Sequence, residues 1–298
     1  MVIGFIGLGD VGSRFAGGIT RDGGAKTIGY DVRLGREEFR EKEERCVTCG
    51  VELAASLEAL MGKADLVIAA TSCADAVKTL EGAMPYLREG QYYMDVNSAV
   101  PSVKKVLQKM VESKGGRFVD GGILDTPMNG WHTIPVGVSG EYAQDALQIL
   151  NGYGMNLRYI GPDVGQASGL KILRSIFTKG LEALLLETFS AARHYGVLKD
   201  VYGSIQEMLE REPICPMFER MVTTDVVHAK RRAREVGAVA DMLRDEHIDA
   251  TMSQAAYEKL MWSSASGLKE HFGGEIPENY LDVVEYLSTL RTKQEETV

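Results

Sequence analysis

The spacing of apolar residues divides the chain into two regions. Up to about residue 161, short β-like runs alternate with amphipathic stretches, whereas only helical spacing follows. The predicted strands are 2–7, 26–30, 65–70, 91–96, 117–120 and 136–139. The helices predicted between them are 12–20, 36–45, 74–83 and 102–113. This alternation is typical of an α/β fold with a doubly wound, mostly parallel sheet.

The second region is predicted to be all-α. Helical patterns cover 166–195, 202–212, 224–245, 252–270 and 279–291. We therefore expect two domains, 1–162 and 163–298, the second beginning with a long interdomain helix.

A line of polar residues runs along that long helix. Lys171, Ser175, Thr178 and Glu182 fall within about 60° of one another at 3.6 residues per turn. The helix is nevertheless expected to be buried on most sides, because its apolar positions include Leu170, Leu173, Phe177, Leu181, Leu184 and Phe189. A polar line on such a helix faces either a functional cavity or a salt-bridged Lys171–Glu182 seam. The spacing leaves both interpretations open.

A dinucleotide-binding fingerprint lies at the start of the chain, in Gly7-Leu8-Gly9-Asp10-Val11-Gly12. It follows a strand and opens a helix, which is the context that G-x-G-x-x-G requires. Its glycines permit a tight turn, close approach of a pyrophosphate and close helix–strand packing, so the first domain is predicted as a Rossmann domain.

The cofactor is predicted to be NAD or NADP, with NAD favoured. Asp31 ends the second strand, where a carboxylate accepts hydrogen bonds from a ribose 2′-hydroxyl and repels a 2′-phosphate. Arg33 is the opposing signal, because its guanidinium can pair with a 2′-phosphate. Thr71 and Ser72 follow a later strand at the expected cofactor edge and are also predicted to contact the cofactor.

Composition narrows the function classes. The 298 residues include 33 Lys+Arg and 42 Asp+Glu, a net charge of −9 that argues against nucleic-acid binding. No apolar run approaches the roughly 20 residues of a membrane span, and no secretory signal is recognised, so we expect a cytoplasmic protein without a membrane partner. The four cysteines form no disulfide framework, and no metal site is expected. Cys46 and Cys49 form a lone C-x-x-C, predicted as packed cysteines on the third strand.

The motifs resemble those of the β-hydroxyacid dehydrogenase superfamily, which includes 3-hydroxyisobutyrate and 6-phosphogluconate dehydrogenases. The opening Gly4-Phe5-Ile6-Gly7-Leu8-Gly9-Asp10-Val11-Gly12 and the segment Asp95-Val96-Asn97-Ser98-Ala99-Val100-Pro101 are similar to two family motifs. The family's catalytic Lys falls on Lys171. The resemblance implies that Lys171 is the general acid/base, that Ser175 and Asn97 orient the substrate alcohol, that Asn97 lies beside the nicotinamide, and that the protein is a homodimer. The region 171–187 looks more like a less characterised branch with a phosphogluconate-dehydrogenase-like C-terminal domain.

Three positions depart from the family pattern. Ser175 replaces an Asn, Thr178 replaces the Glu of phosphogluconate dehydrogenases, and Leu124-Asp125-Thr126 replaces the Ser-Gly-Gly that cradles a substrate carboxylate. An inward-pointing Asp125 would repel a carboxylate, so a substrate other than the usual small 3-hydroxyacid is expected. The predicted substrate-binding residues are Ser98, Thr126, Asn129, His132, Thr178, His228 and Arg232.

The function predicted from these features is NAD(P)-dependent hydride transfer between the nicotinamide and a hydroxy or keto acid, including a sugar acid. An imine reductase on the same fold is an alternative, although such relatives usually replace the catalytic Lys. A dinucleotide-binding sensor without turnover is a third interpretation, which the altered 124–126 loop allows.

Overall fold

The chain forms two compact units. A computed structural model describes the backbone of residues 1–295 and the side chains of residues 1–290. Unit 1 is Met1–Phe177 and unit 2 begins at Thr178, whereas the sequence places the boundary after residue 162. The later division has a physical reason, because the first turns of the long helix pack against the sheet: a Cβ built on Gly122 would lie 2.4 Å from the carbonyl oxygen of Ala167.

Unit 1 contains an eight-stranded sheet in the order β3-β2-β1-β4-β5-β6-β7-β8. The strands are β1 (Val2–Ile6), β2 (Lys26–Tyr30), β3 (Glu52–Leu53), β4 (Leu66–Ala69), β5 (Tyr92–Asp95), β6 (Arg117–Ile123), β7 (Pro135–Ser139) and β8 (Asn156–Gly161). The pairings are parallel except that of β6 with β7. The predicted mostly parallel, doubly wound sheet is confirmed.

Six helices of more than one turn connect these strands: α1 (Asp10–Arg21), α2 (Arg40–Thr48), α3 (Leu57–Lys63), α4 (Ala76–Ala83), α5 (Pro101–Glu112) and α6 (Ala143–Asn151). The predicted position of the C-x-x-C pair on the third strand was wrong, whereas the prediction of a packed cysteine is confirmed for Cys46. Cys46 lies on α2 and Cys49 caps its end, whereas the third strand is the short β3. Burial raises the pKa of the Cys46 thiol to about 12, which suits a packed rather than a reactive cysteine.

Both faces of the sheet are buried. On β4, Leu66 and Ile68 join one apolar cluster, while Val67 and Ala69 join the other. Strands covered on both sides read as continuous apolar runs, which is why β4 was evident from the sequence. The strand order reverses between β2 and β4, on the two sides of β1. In such sheets ligands bind outside the carboxyl ends of the strands at this reversal.

The second region is helical, as predicted. Its helices are α7 (Gln166–His194), which begins in unit 1, then α8 (Leu198–Arg211), α9 (Ile214–Asp245), α10 (Thr251–Ala265), α11 (Leu268–His271) and α12 (Tyr280–Glu295). Glu187 of α7 is buried and caps α10, accepting hydrogen bonds from the backbone N–H groups of Met252 and Ser253 at 2.6 and 2.9 Å. No helix in the described part of the chain is long and apolar enough to span a membrane.

The expectation that α7 is buried on most sides was wrong. Leu173, Ile176 and Leu186 are each about two-thirds exposed, at 66%, 67% and 66%. Phe177 and Leu184 are also exposed. The periodicity identified an apolar helix correctly, but a single copy of the chain does not cover it.

Candidate active site

The predicted cofactor residues gather at the carboxyl edge of the sheet. β1, β4, β5 and β6 run parallel, so the segments that follow them emerge at the same edge. These segments begin with Gly7, Ala70, Val96 and Leu124.

The fingerprint loop has the geometry that a dinucleotide requires. Gly7 has a φ of +90°, and a Cβ on Gly12 would lie only 1.9 Å from the Gly7 carbonyl oxygen. Gly9 is the N-cap of α1 and contributes no capping side chain, and a Cβ built there would have only Arg33 Nη2 nearby, at 3.8 Å. The loop therefore leaves open the backbone where a pyrophosphate approaches the helix N-terminus.

Two acidic side chains flank this loop. Asp10 is exposed in the first turn of α1 and pairs with Arg14 at 2.9 Å, which lowers the pKa of its carboxyl. The buried Asp31 accepts the Leu8 backbone N–H at 2.9 Å and a two-pronged contact from Arg33 at 2.9 and 2.8 Å. The pKa of Asp31 remains lowered although burial opposes this, because these donors hold the carboxylate form. Arg33 also stacks over Phe39 at 4.4 Å.

Asn97 supplies a buried acceptor that lacks a protein donor. Its Nδ2 donates to Asp95 Oδ2 at 2.7 Å and to Thr71 Oγ1 at 3.2 Å, which fixes the orientation of the amide. Its Oδ1 has no hydrogen-bond partner among the described residues, although the residue is only 3% exposed. A buried unpaired carbonyl is costly unless a ligand donates to it. The orphaned acceptor and the open glycine loop together fit a nicotinamide dinucleotide with its substrate.

Beneath Asn97 lies a charged cluster that was not predicted from the sequence. Lys104 on α5 is fully buried and donates to Asp95 Oδ1 at 2.6 Å and to the Asp95 carbonyl at 2.7 Å. Its Nζ also lies 3.3 Å from Asp120 Oδ1, and all three side chains are inaccessible to solvent. Lys104, Leu107 and Val111 form the buried face of α5, so a lysine at a core position of an amphipathic helix was the available signal.

Asp120 connects this cluster to the start of α7. Its Oδ2 accepts the backbone N–H of Gly165 at 3.0 Å, and both the N–H and the hydroxyl of Ser168, at 3.1 and 3.0 Å. Ser139 Oγ also donates to it, at 3.1 Å. The carboxylate therefore anchors the first turn of the helix that carries Lys171, three residues beyond Ser168.

Lys171 lies at the carboxyl edge beside β6. Its Cβ would be 3.3 Å from a Cβ built on Gly122, so glycine is needed for the helix to approach this strand. Burial lowers the pKa of Lys171 to about 8, and the neighbouring positive charge of Lys104 acts in the same direction. Asp95 and Cys73 oppose the shift by stabilising the ammonium form. An amine with this pKa can both accept and donate a proton near neutral pH.

The β6–β7 loop contacts α7, and its Asp125 carboxylate forms hydrogen bonds within the loop. Arg174 donates to the Leu124 carbonyl, and Ser175 Oγ donates to the Lys171 carbonyl at 3.0 Å. Asp125 Oδ1 accepts the Thr126 N–H at 2.7 Å and Asn129 Nδ2 at 2.9 Å. The Asp125 carboxylate is thus used within the loop.

Three predicted site residues occupy different surroundings. Ser72 donates to Asp75 at 2.6 Å at the start of α4, and Ser98 is exposed next to Asn97. His132 is buried, and a Cβ on Gly18 would lie 2.1 Å from its Nδ1. Gly18 is on the second half of α1, toward the opposite edge of the sheet, so the structure does not bring His132 to the Lys171 group.

Three further candidates belong to unit 2. Thr178 is its first residue, and His228 and Arg232 lie on α9. Arg232 donates to Thr224 Oγ1 at 2.8 Å. No cluster of metal-binding side chains occurs in the part of the chain that the structure describes.

Comparison with known proteins identifies the family. Residues 2–161 match the NAD binding domain of 6-phosphogluconate dehydrogenase, and residues 192–262 match a domain of unknown function, DUF1932. The chain therefore belongs to the 6-phosphogluconate dehydrogenase-like family of dinucleotide-binding proteins, within the β-hydroxyacid dehydrogenase superfamily that its motifs indicated.

Three proteins are similar to this chain over more than half of its length. Mouse mitochondrial 3-hydroxyisobutyrate dehydrogenase is 32% identical over 58% of this chain, a match that spans 52% of that enzyme. The solved structure of MTH1747, a conserved protein of unknown function described as similar to 3-hydroxyacid dehydrogenases, is 30% identical over 89% of this chain and 98% of its own, with a TM-score of 0.60. A Streptomyces aurantiacus imine reductase (19% identity, 96% and 99% coverage, TM-score 0.74) shares the fold.

Proposed function

We propose that this protein is an NAD(P)-dependent oxidoreductase that interconverts a hydroxy acid and a keto acid, with Lys171 as the general acid/base. The observation that carries the proposal is an amine with a pKa of about 8 at the carboxyl edge of a dinucleotide-binding sheet. Proton transfer by a positioned group contributes most when its pKa is near the working pH. The related 3-hydroxyisobutyrate dehydrogenases support a hydroxyacid substrate.

Different residues would bind the cofactor and transfer the proton. Gly9 and the α1 N-terminus would hold the pyrophosphate, and Asp31 would hold the adenosine ribose. A bound nicotinamide would accept or supply the hydride. In oxidation, Lys171 Nζ takes the proton from the substrate hydroxyl, and in reduction it returns that proton to the carbonyl oxygen. Asn97 Oδ1 accepts a hydrogen bond from the bound nicotinamide or substrate. Ser175 is the second residue that orients the substrate hydroxyl.

NAD is the cofactor that we propose. The carboxylate of Asp31 lies at the end of β2, and its negative charge disfavours a 2′-phosphate. Arg33 is already paired with that carboxylate, so a 2′-phosphate would have to compete for the guanidinium.

A second copy of the chain is the proposed partner. Leu173, Phe177 and Leu184 lie within about 40° of one another around α7 and are 66%, 50% and 44% exposed, and an exposed apolar patch marks an interaction site. Light scattering during size exclusion should give twice the monomer mass of 32.6 kDa. Leu173→Glu should shift that mass toward the monomer, and a monomeric wild type would exclude the dimer.

Activity is tested with both cofactors across hydroxy acids, sugar acids and phosphorylated sugar acids, followed by nicotinamide absorbance. The wild type should turn over at least one compound, and Lys171→Met should reduce kcat by roughly 10²-fold or more. Lys109→Met, an exposed charge removal on α5, serves as the matched control. Turnover of a cyclic imine but of no hydroxy or keto acid would favour an imine reductase. Cofactor binding without turnover, equal in wild type and Lys171→Met, would favour a sensor.

A further inference from the structure

The buried cluster beneath the site contains one cation between two anions. Lys104 Nζ contacts one oxygen of each carboxylate, at 2.6 Å for Asp95 and 3.3 Å for Asp120. No solvent reaches any of the three side chains, so their charges act at short range with little screening. The cluster therefore holds two buried carboxyl groups around one buried amine.

Each carboxylate uses its second oxygen to position part of the site. Asp95 Oδ2 accepts from Asn97 Nδ2, which aims the unpaired Asn97 Oδ1. Asp120 Oδ2 accepts from Gly165 and Ser168 at the start of α7. Lys104 therefore joins the strand end that carries Asn97 to the helix that carries Lys171.

Lys171 lies near these acids, because its Cβ is 3.3 Å from the position of a Cβ built on Gly122, two residues after Asp120, and Asp120 pairs with Asp95 across β5 and β6. The charged and titratable groups that act on it are Lys104, Asp95 and Cys73, with Asp95 attracting its ammonium and Lys104 repelling it. The two lysines therefore compete for Asp95, and Lys104 holds the buried contact. If Lys104 lost its charge, two buried carboxylates would lack a counter-ion, and Lys171 would be the neighbouring cation able to supply one.

We propose that Lys104 is a positioning residue, which pairs with Asp95 and Asp120 so that Lys171 is not drawn into an ion pair with them and remains available to substrate. The inference rests on the proposed role of Lys171. Its prediction concerns the amine itself and can be measured without turnover.

The test is the pH dependence of Lys171 acetylation by trace acetic anhydride, read by mass spectrometry of the peptide that contains it. Only the neutral amine reacts, so the midpoint reports the pKa of Lys171 in each variant. In Lys104→Met the midpoint should rise by at least one pH unit, which lowers labelling at pH 8 about fivefold. Lys104→Arg retains the charge and should stay near the wild-type midpoint, as should the exposed-residue control Lys109→Met.

Two further variants keep the proposal falsifiable if Lys104→Met does not fold. Asp95→Asn removes the attracting charge and should increase labelling of Lys171 at pH 7. In the double variant Lys104→Met with Asp95→Asn, Lys171 should be labelled more readily at pH 8 than in Lys104→Met, provided that Lys104→Met folds. The reason is that the Asp95 charge, which attracts the Lys171 ammonium, is absent from the double variant. An unchanged midpoint in folded Lys104→Met, or in Asp95→Asn, would overturn the proposal and leave Lys104 as a core ion pair. Failure to find any substrate would count against the proposed function but would leave these labelling results unaffected.

Discussion

Replacing the proposed catalytic lysine should make the protein more stable at neutral pH. The pKa of Lys171 falls from 10.5 to about 8 chiefly because burial penalises its charge. The unfolded chain therefore binds this proton more tightly than the folded chain does. The difference corresponds to about 3 kcal/mol of destabilisation, at 1.36 kcal/mol per pH unit. Lys171→Met retains a chain of similar length without the charge, so it should recover a large part of that free energy.

The pH dependence distinguishes this mechanism from improved packing. Below pH 8 both states carry the proton, and the penalty is present in full. As the pH rises from about 8 to 10.5, the folded state is neutral while the unfolded state is still charged, so the wild type loses the penalty. We expect the gain in Lys171→Met, measured by urea denaturation, to be greatest at pH 7 and to vanish near pH 10.5. Lys109→Met should show no such gain. A variant that is less stable than wild type at pH 7, or a gain that does not change with pH, would refute the reasoning.

Three other outcomes follow from the site. The kcat/KM for alcohol oxidation should rise about tenfold between pH 7 and 9 and then level off, because Lys171 must be neutral to accept the proton; a profile without a midpoint near pH 8 would assign the proton to another group. Gly12→Ala should weaken dinucleotide binding at least tenfold when measured by calorimetry, because its Cβ would lie 1.9 Å from the Gly7 carbonyl oxygen. The control Gly62→Ala should bind the dinucleotide normally, because a Cβ at that position has no atom within 4 Å. Asp31→Asn should improve NADP relative to NAD by about tenfold in fluorescence titrations, because it removes the charge that repels a 2′-phosphate; an unchanged ratio would exclude Asp31 as the selector.

Local patterns were sufficient to predict six of the eight strands and the fingerprint loop. β1 and β4 are buried on both faces, and the Gly7 turn depends on residues adjacent in sequence. The helices α3 and α6 were not predicted, and the two strands that were missed have weak local signals. β3 has two residues, and β8 exposes Arg158 and Tyr159 side by side, so its alternation is interrupted.

The charged cluster could not be predicted from spacing alone. Asp95, Lys104 and Asp120 come from three different elements, and only the folded sheet brings them within contact distance. The sequence does place Lys104 on the apolar face of α5, but that position does not specify its partners. Similarly, periodicity identified α7 as apolar without indicating whether its own chain or another molecule covers Leu173 and Ile176.

The anchoring of the β6–β7 loop has a consequence for protein engineering. The loop is held at its start, where the Leu124 N–H donates to the Pro135 carbonyl, and at its end, where His132 is enclosed against α1. The intervening residues 125–130 are the interchangeable part. Grafting the corresponding segment of a relative, or varying its length, should alter substrate preference while the scaffold keeps its thermal stability.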